Sequence, residues 1–160
     1  MPKPKKSKEK ETDILKKIVL ELMNLIGLET EMKITKDSQN QALNVNIDAG
    51  KEAGLIIGNR GRTLNSLQSI LGMIYKRKTG EWKRIILDVG DWREKENERL
   101  FEIAASAAER AKQTDKPQTL YNLSSSQRRT VHLALSEDKE ISTESFGEGK
   151  DRYLVITPKK

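Results

Sequence analysis

The chain of 160 residues is long enough for two small domains, and its 34% charged and 35% hydrophobic residues suit modest cores. The absence of cysteine excludes disulfides, thiolate zinc sites and cysteine nucleophiles, and no apolar run is long enough to span a bilayer. The net charge of +6 lies mostly in residues 1–10, which hold five lysines and one glutamate, so it says little about the folded parts. We expect a cytoplasmic chain without membrane insertion.

The first half of the chain begins with a basic tail and continues with one helix and two strands. Residues 1–11 are expected to form a disordered tail. Apolar side chains at helical spacing predict a helix over residues 14–26, which Gly27 would end. Alternating apolar and polar residues then predict strands over residues 29–35 and 41–47, with turn residues between them.

A glycine-rich turn, a second helix and a third strand complete this half. Residues 53–61 (AGLIIGNRG) lead into a helix whose apolar stripe runs from Leu64 to Ile74, and residues 85–89 have the composition of a buried strand. The order helix, strand, strand, helix, glycine turn, helix, strand predicts an α+β sandwich over residues 12–90, with helices on one face of a small sheet.

Residues 91–160 are predicted to form a second small α/β sandwich, which begins with a long connecting helix over residues 92–112. Ser124 and Gln127 have the spacing of a capping box and predict the start of a further helix. The remaining predicted elements are a short strand, that helix and a terminal hairpin, over residues 120–123, 124–135, 141–146 and 152–157.

Gly58 and Gly61 enclose a tight turn between a short apolar segment and a helix. Without a Cβ, such a backbone can approach another backbone closely, and Asn59 and Arg60 at the tip would present a neutral donor and a cation. The start of the next helix adds free N–H groups and a positive dipole end. These features suit a sugar-phosphate backbone, whereas the glycine spacing fits neither a P-loop nor a dinucleotide fingerprint.

The segment IIGNRG, in this order of elements, resembles the GxxG loop of a type II KH domain. The resemblance implies that the loop clamps the backbone of about four unpaired nucleotides, with bases in an apolar groove beside it. Ile57 and Arg62, which flank the turn, join Gly58–Gly61 as candidate RNA-binding residues. The simpler interpretations are that the glycines only connect two helices tightly and that the arginines are ordinary solvated charges.

A second basic cluster surrounds Trp82 and would extend the phosphate track, which predicts an affinity that falls with salt. The alternative is a solvated loop with Trp82 packed on the sheet edge. The cluster consists of Lys76, Arg77, Lys78, Lys83 and Arg84.

Arg128 and His132 are four residues apart on a predicted helix and therefore share a face. Together with Arg129 they could contact phosphate and stack on a base or hydrogen-bond to it. Val131 and Leu135 would face the core. The simpler interpretation is a surface arginine and a histidine whose hydrogen bonds are satisfied locally.

Residues 124–135 (SSSQRRTVHLAL), the alanine-rich helix before them and the hairpin after them resemble the nucleic-acid-binding module named for its Arg-x-x-x-His pair (R-three-H). KH followed by this module resembles the Jag family of SpoIIIJ-associated RNA-binding proteins, also called KhpB or EloR, over about residues 12–158. The resemblance implies a single-stranded RNA ligand, with single-stranded DNA left open, a small KH-domain protein partner, and a link to cell elongation, division or envelope processes. Many members carry a further N-terminal domain, whose role is not carried over.

The resemblance implies a bacterial post-transcriptional regulator, and the residues themselves point to no enzyme. One histidine, no cysteine and no metal-ligand spacing leave little catalytic machinery, and neither a cofactor nor a metal is expected. The alternative is a protein-docking adaptor that uses KH-like surfaces and binds little RNA. A homodimer and a heterodimer are both compatible with either interpretation, because KH folds can dimerise.

Overall fold

The structure is a computed structural model and describes residues 10–159, so the predicted disordered tail lies outside the described residues except for Lys10 and Glu11. Glu11 is the first residue of a helix, which therefore starts earlier than predicted. The chain divides into two compact units between Trp92 and Arg93. The elements of the first unit are α1 (Glu11–Ile26), β1 (Glu31–Asp37), β2 (Ala42–Asp48), α2 (Ala53–Ile57), α3 (Arg62–Thr79) and β3 (Arg84–Val89).

The sheet of the first unit has the strand order β1-β2-β3. β1 pairs with β2 antiparallel and β2 pairs with β3 parallel, so α2 and α3 form the crossover between the two parallel strands. The core lies between this sheet and the helices. Its fully buried side chains include Leu15, Ile18, Leu43, Leu64, Leu71 and Leu87. The α-β-β-α-α-β order of the prediction is confirmed.

Local chemistry explains where the first elements end. Gly27 adopts φ 84° at the end of α1, where its N–H donates to the carbonyl oxygen of Asn24 at 3.0 Å, as predicted for a helix stop. β1 ends at Asp37 instead of residue 35 because the Asp37 carboxylate accepts hydrogen bonds from the backbone N–H groups of Gln39 and Asn40, each at 3.0 Å. The pKa of Asp37 is lowered, mainly by its side-chain hydrogen bond with Asn40.

The second unit packs two helices on one face of an antiparallel sheet with the strand order β4-β6-β5. Ala104, Ala108 and Ala111 give α4 a narrow buried face, and they pack with Val131 of α5 and Ile156 of β6. The elements are α4 (Trp92–Thr114, which begins at the division between the units), β4 (Gln118–Leu120), α5 (Ser125–Leu135), β5 (Ile141–Phe146) and β6 (Tyr153–Pro158).

The predicted strand over residues 120–123 is wrong in its position, because β4 covers Gln118–Leu120. Asn122 has a φ of 59°, a left-handed conformation that cannot continue a strand. The predicted capping box is confirmed. The Ser124 hydroxyl accepts from the N–H of Gln127 at 3.2 Å, and the Gln127 side-chain oxygen accepts from the N–H of Ser124 at 2.8 Å.

Candidate nucleic-acid interface

The glycine turn joins α2 to α3 through an unusual run of backbone conformations. Gly58 has a φ of 68°, Arg60 of 52° and Gly61 of 76°, and α3 begins at the next residue. A left-handed conformation costs a non-glycine residue about 1–2 kcal/mol, so Arg60 is held there by its surroundings. Two of the three positive φ angles fall on glycine. Backbone conformation is thus one reason for glycine at both positions of the GxxG pattern.

The tip of the turn lies in solvent, while its flanks are anchored. Asn59 and Arg60 are exposed, as is Arg62 in the first turn of α3. Ile56 is buried in the core of the first unit, and the predicted RNA-binding residue Ile57 packs against that core and is half-buried. The turn is therefore a rigid corner whose polar side chains project from the surface of their own unit.

The two glycines are required for packing inside the protein, which differs from the reason predicted for them. A Cβ on Gly58 would lie 2.0 Å from the Thr63 Oγ1 atom, and a Cβ on Gly61 would lie 2.1 Å from the Trp92 Cη2 atom. The Cβ-free sides of both glycines thus face the unit's own side chains, because the turn folds back on Thr63 and Trp92. The absence of a Cβ on Gly61 therefore allows the turn to pack closely against the indole of Trp92.

The start of α3 supplies the electrostatic part of the corner. No side chain caps its N-terminus, and its first turn carries no acidic residue. The Arg62 N–H already donates to the Asn59 carbonyl oxygen, so the attraction for an anion comes from the partial positive charge of the helix N-terminus and from the N–H groups that follow. Arg62 adds a full positive charge at the same point.

The second basic cluster is partly neutralised by ion pairs. The Lys78 Nζ atom lies 3.0 Å from Glu21, and the Lys83 Nζ atom lies 3.0 Å from Glu11. Glu11 also pairs with Lys36, and this hydrogen bond, followed by the one with Lys83, lowers the pKa of the Glu11 carboxyl. Lys78 and Lys83 therefore contribute less to a phosphate track than their charges suggest.

Trp82 is 65% exposed and lies against α3, where a Cβ on Gly72 would be 3.4 Å from its ring. The Lys76 Nζ atom lies 5.9 Å from the ring centroid, a cation–π distance. The ring borders a groove between α3 and β3 that Met73 also lines. Packing on the sheet edge therefore accounts for only part of the Trp82 side chain, because most of the ring is exposed to solvent.

In the second unit, Arg128 and His132 share the expected face of α5, and both have local hydrogen-bond partners. The Arg128 guanidinium donates to the carbonyl oxygen of Leu123 at 2.7 Å. His132 forms a hydrogen bond through Nδ1 with the hydroxyl of Thr143. Arg129 is exposed. The His132 ring is exposed as well, so Nε2 is the ring nitrogen that a ligand can reach. Val131 and Leu135 are buried, as predicted.

Two family models cover most of the chain. The one described as "KhpA/KhpB, KH domain" matches residues 14–89, and the one for the R-three-H domain matches residues 98–158. The chain belongs to the KhpB/Jag family. The KH match includes the glycine turn, and the R-three-H match includes Arg128 and His132.

Curated relatives from several bacteria agree with this assignment. The chain is 29% identical over 157 residues to the RNA-binding protein KhpB of Clostridium symbiosum, covering 97% of this chain and 70% of the relative. It is 36% identical over 113 residues to KhpB of Bacillus subtilis, covering 69% of this chain and 54% of that protein. The match to KhpB of Lactiplantibacillus plantarum, 30% identical over 140 residues, covers 85% of this chain and 43% of the relative. The chain thus spans about half the length of these last two proteins.

Two aromatic features of this KhpB/Jag family member were not predicted from the sequence. Trp92 was assigned only to the connecting helix, although its ring packs on Gly61. Tyr121, Phe146 and Tyr153 were not considered, although their rings lie side by side in the second unit. Tyr153 starts a strand of alternating pattern, and that alternation could have placed it on the face opposite the core.

The part of the chain that the structure describes holds no group of three or more His, Asp or Glu residues suited to a metal ion. Among residues 10–159, no helix has the length and apolar character needed to cross a membrane. All candidate binding residues named from the sequence fall within the two domains that the family models match.

Proposed function

We propose that this chain binds single-stranded RNA through both domains and catalyses no reaction. The observation that carries the proposal is the glycine turn. It is a corner fixed by internal packing, with Asn59 and Arg60 exposed at its tip and the uncapped start of α3 beside it. The family models and the relatives, which are named RNA-binding proteins, support the same ligand.

In this proposal the phosphate backbone of about four unpaired nucleotides crosses the corner. The Asn59 amide donates to phosphate oxygens, while Arg60 and Arg62 provide charge-assisted hydrogen bonds. Gly58 and Gly61 shape the corner and do not offer donors, because the Gly58 N–H already donates to the Gly54 carbonyl oxygen at 2.9 Å and Gly61 is buried, whereas Ile57 offers an apolar edge to a base. The N-terminus of α3 adds its dipole to the attraction.

The cluster near Trp82 extends the phosphate track unequally. Lys76 and Arg77 are exposed, and neither lies in the ion pairs that occupy Lys78 and Lys83. We therefore assign most of any contribution to Lys76 and Arg77, with Lys78 as a minor contact. Such phosphate contacts make the affinity fall as salt rises.

The R-three-H domain adds a second site through Arg128, Arg129 and His132. The hydrogen bonds of Arg128 with Leu123 and of His132 with Thr143 preorganise these side chains on one face of α5. Two weak sites on one chain bind a continuous strand more tightly than either site alone, because the second contact is intramolecular. We propose domain limits of residues 12–90 and 91–160 for the two modules.

The direct test is the double variant Asn59→Asp, Arg60→Asp, measured by fluorescence anisotropy with a labelled single-stranded RNA. Aspartate tolerates a left-handed conformation better than most residues, so the fold should survive, while the phosphate meets two carboxylates. We expect affinity to fall at least tenfold. Unchanged affinity in a folded variant would contradict the proposal.

The matched control is Lys33→Asp, Gln39→Asp, which makes the same change of net charge at exposed positions of β1 and its turn. A small loss in the control, set against a large one in the turn variant, separates a local contact from the general field of the protein. Equal losses would point to unspecific electrostatic attraction.

We further propose a bacterial post-transcriptional role linked to cell elongation, division or envelope processes, in the cytoplasm. A small KH-domain protein is the expected partner, because the matching family model is named for KhpA as well as KhpB. Deep sequencing of RNA crosslinked to the chain in cells would test the regulatory role. Pull-down with a tagged chain would test the partner.

The second candidate function is the docking adaptor, which the ion pairs of Lys78 and Lys83 favour because they remove two cations from the proposed track. An RNA binder should co-purify with nucleic acid, show a high ratio of absorbance at 260 to 280 nm, and lose that nucleic acid in high salt. An adaptor should show neither property, and should retain its protein partner when Asn59 and Arg60 are changed.

A further inference from the structure

The exposed face of α3 forms a continuous path that leads away from the glycine turn. Arg62, Ser69 and Lys76 are exposed and lie seven residues apart, which is almost two helical turns, so they share one face of the helix. Arg62 belongs to the proposed RNA contact at the corner, and Lys76 lies about 21 Å further along the helix axis. A strand that crosses the corner can therefore follow this face towards Lys76.

The helix contributes no carboxylate to this path, because the sequence of α3 contains neither aspartate nor glutamate. Side chains in the middle of the path are small. Ser66 and Ser69 donate their hydroxyls to carbonyl oxygens of the same helix, those of Arg62 and Asn65, each at 3.0 Å. Small side chains held against their own helix leave room for a ligand, and the charges along this face are positive only.

The path ends at the indole ring of Trp82, in the short connection between α3 and β3. The ring is mostly exposed, and the Lys76 Nζ atom lies over it. It borders the groove between α3 and β3, whose volume of about 410 Å³ falls in the range of small-ligand sites. Gly72 and Met73 line the groove beside the ring, so the indole stands at the edge of a cavity large enough for a base.

The charges at this groove indicate the class of its ligand. Lys83 and Arg84 line it, and none of the described residues that line it is acidic. The carboxylate next to the indole in sequence, that of Glu81, does not line the groove. Lys83 is paired with Glu11, so Lys76 and Arg84 supply most of the positive charge. Cations around an exposed aromatic ring, with no carboxylate in the wall, favour a polyanion that carries flat bases over a peptide.

We propose that Trp82 stacks an unpaired nucleobase of the RNA strand whose backbone crosses the glycine turn. This inference rests on the proposed function and adds a base contact to it. An exposed indole accepts any base, since every base offers a π-face, so the contact adds affinity without strict sequence preference. Lys76 holds its ammonium on a flexible stem and can move from the ring to a phosphate of the same strand.

The test compares Trp82→Leu with Trp82→Phe in the full chain, by fluorescence anisotropy with fluorescein-labelled oligoadenylates of four and twelve nucleotides. At the 3.4 Å rise of a stacked strand, about six nucleotides cover the distance between Arg62 and Lys76, so the shorter probe cannot span both contacts. Leucine keeps apolar bulk but removes the π-face, so affinity for the longer probe should fall at least about fivefold, and affinity for the shorter probe less. Phenylalanine keeps a ring and should retain most of the affinity.

Tyr121→Leu is the matched control, because Tyr121 is 64% exposed and lies outside the residues proposed to contact RNA. That variant should bind both probes as the unchanged chain does. Tryptophan fluorescence gives a readout that a structural role would not move. RNA should quench the emission of the unchanged chain, and Trp82→Phe, in which only Trp92 emits, should lose most of this quenching while it still binds. Thermal unfolding checks that each variant retains the fold.

Normal binding of the longer probe by Trp82→Leu, together with a loss in the Asn59→Asp, Arg60→Asp variant, would contradict stacking but not the proposed role of the glycine turn. If neither variant binds less tightly than the unchanged chain, the stacking proposal falls together with the RNA-binding role of the first domain. Equal losses in Trp82→Leu and Tyr121→Leu would also contradict a specific contact. A Trp82→Leu chain that binds RNA normally but no longer retains a protein partner would identify the groove as a protein-docking surface instead.

Discussion

The glycine turn and the face of α5 present polar side chains by opposite means. In the turn, the backbone fixes where the side chains of the tip project, because the positive φ angles of Gly58 and Gly61 and the packing of Trp92 hold the corner. On α5 the helix is regular and the side chains are held one by one, Arg128 by Leu123 and His132 by Thr143. Substitutions that add atoms to the glycines should therefore disrupt the turn most. Substitutions that remove hydrogen-bonding side chains should disrupt the face of α5 most.

The largest effect should come from Gly61→Ala. The added methyl would lie 2.1 Å from the Trp92 ring at a φ of 76°, so overpacking and backbone strain combine to about 2–4 kcal/mol of lost stability. Both tryptophans of the chain lie in the first unit, so tryptophan fluorescence during urea unfolding reports that unit alone.

Gly54→Ala is the control, because nothing lies within 4 Å of its Cβ position and its backbone is helical. That variant should be as stable as the unchanged chain, or more stable. If both glycine variants unfold alike, backbone geometry is not what holds the corner.

The next effect should come from Gln127→Ala, which removes a side chain that is only 6% exposed. Its oxygen caps Ser124, and its nitrogen donates to a carboxylate oxygen of Glu96 at 2.6 Å. The loss of the cap, together with the loss of a hydrogen-bond donor to the Glu96 carboxylate, should lower the free energy of unfolding of the second unit by about 1–2 kcal/mol. Far-UV circular dichroism should show the loss while tryptophan fluorescence of the first unit does not change.

Gln113→Ala provides the comparison within the same unit. Gln113 donates to Glu109 at 2.9 Å on the exposed surface of α4, and such a pair contributes about 0.2–0.5 kcal/mol. A loss as large as that of Gln127→Ala would show that the buried cap has no special role.

The smallest effect concerns Glu11, which ties α1 to Lys36 and Lys83. Its pKa is lowered from the ordinary value of 4.5, mainly by the hydrogen bond with Lys36 and then by that with Lys83. Since the folded pKa lies below the unfolded one, the ionised carboxyl stabilises the fold above pH 4.5, and this contribution is lost as the pH falls through the lower folded value.

Glu11→Gln should therefore cost no more than about 1 kcal/mol at neutral pH, because the carboxylate is partly exposed and solvent screens its ion pairs. The variant should also lose less stability than the unchanged chain on acidification. Urea midpoints at neutral and acidic pH measure both effects. Glu21→Gln, whose side chain is 65% exposed beside Lys78, should change neither quantity measurably. An unaltered pH dependence in Glu11→Gln would rule out this account of acid sensitivity.

Local patterns were enough to predict much of both sites. The order of elements follows from apolar periodicity, and the corner follows from two glycines ahead of a helix. The Ser124–Gln127 cap follows from spacing alone. The resemblance to the Jag family, carried by the GxxG loop and the Arg-x-x-x-His pair, is confirmed by the family models.

What could not be predicted depends on contacts between distant residues. No local pattern brings Trp92 onto Gly61 or pairs Lys83 with Glu11, because these contacts exist only once the helices have packed on the sheet. The misplaced strand has a local cause, since the left-handed Asn122 lies inside an otherwise strand-like run. The Tyr121 ring reaches Tyr153 only when β4 pairs with β6, whereas Phe146 and Tyr153 already face each other across one hairpin.

Titration of the isotope-labelled full chain with a short single-stranded RNA, followed by amide NMR, tests most directly whether both sites bind one strand. We expect the largest shift changes at residues 58–62 and along the exposed face of α5 around Arg128 and His132, with both sets saturating together. Shifts confined to the exposed strand β1, or a corner that stays unchanged while RNA binds elsewhere, would contradict the account.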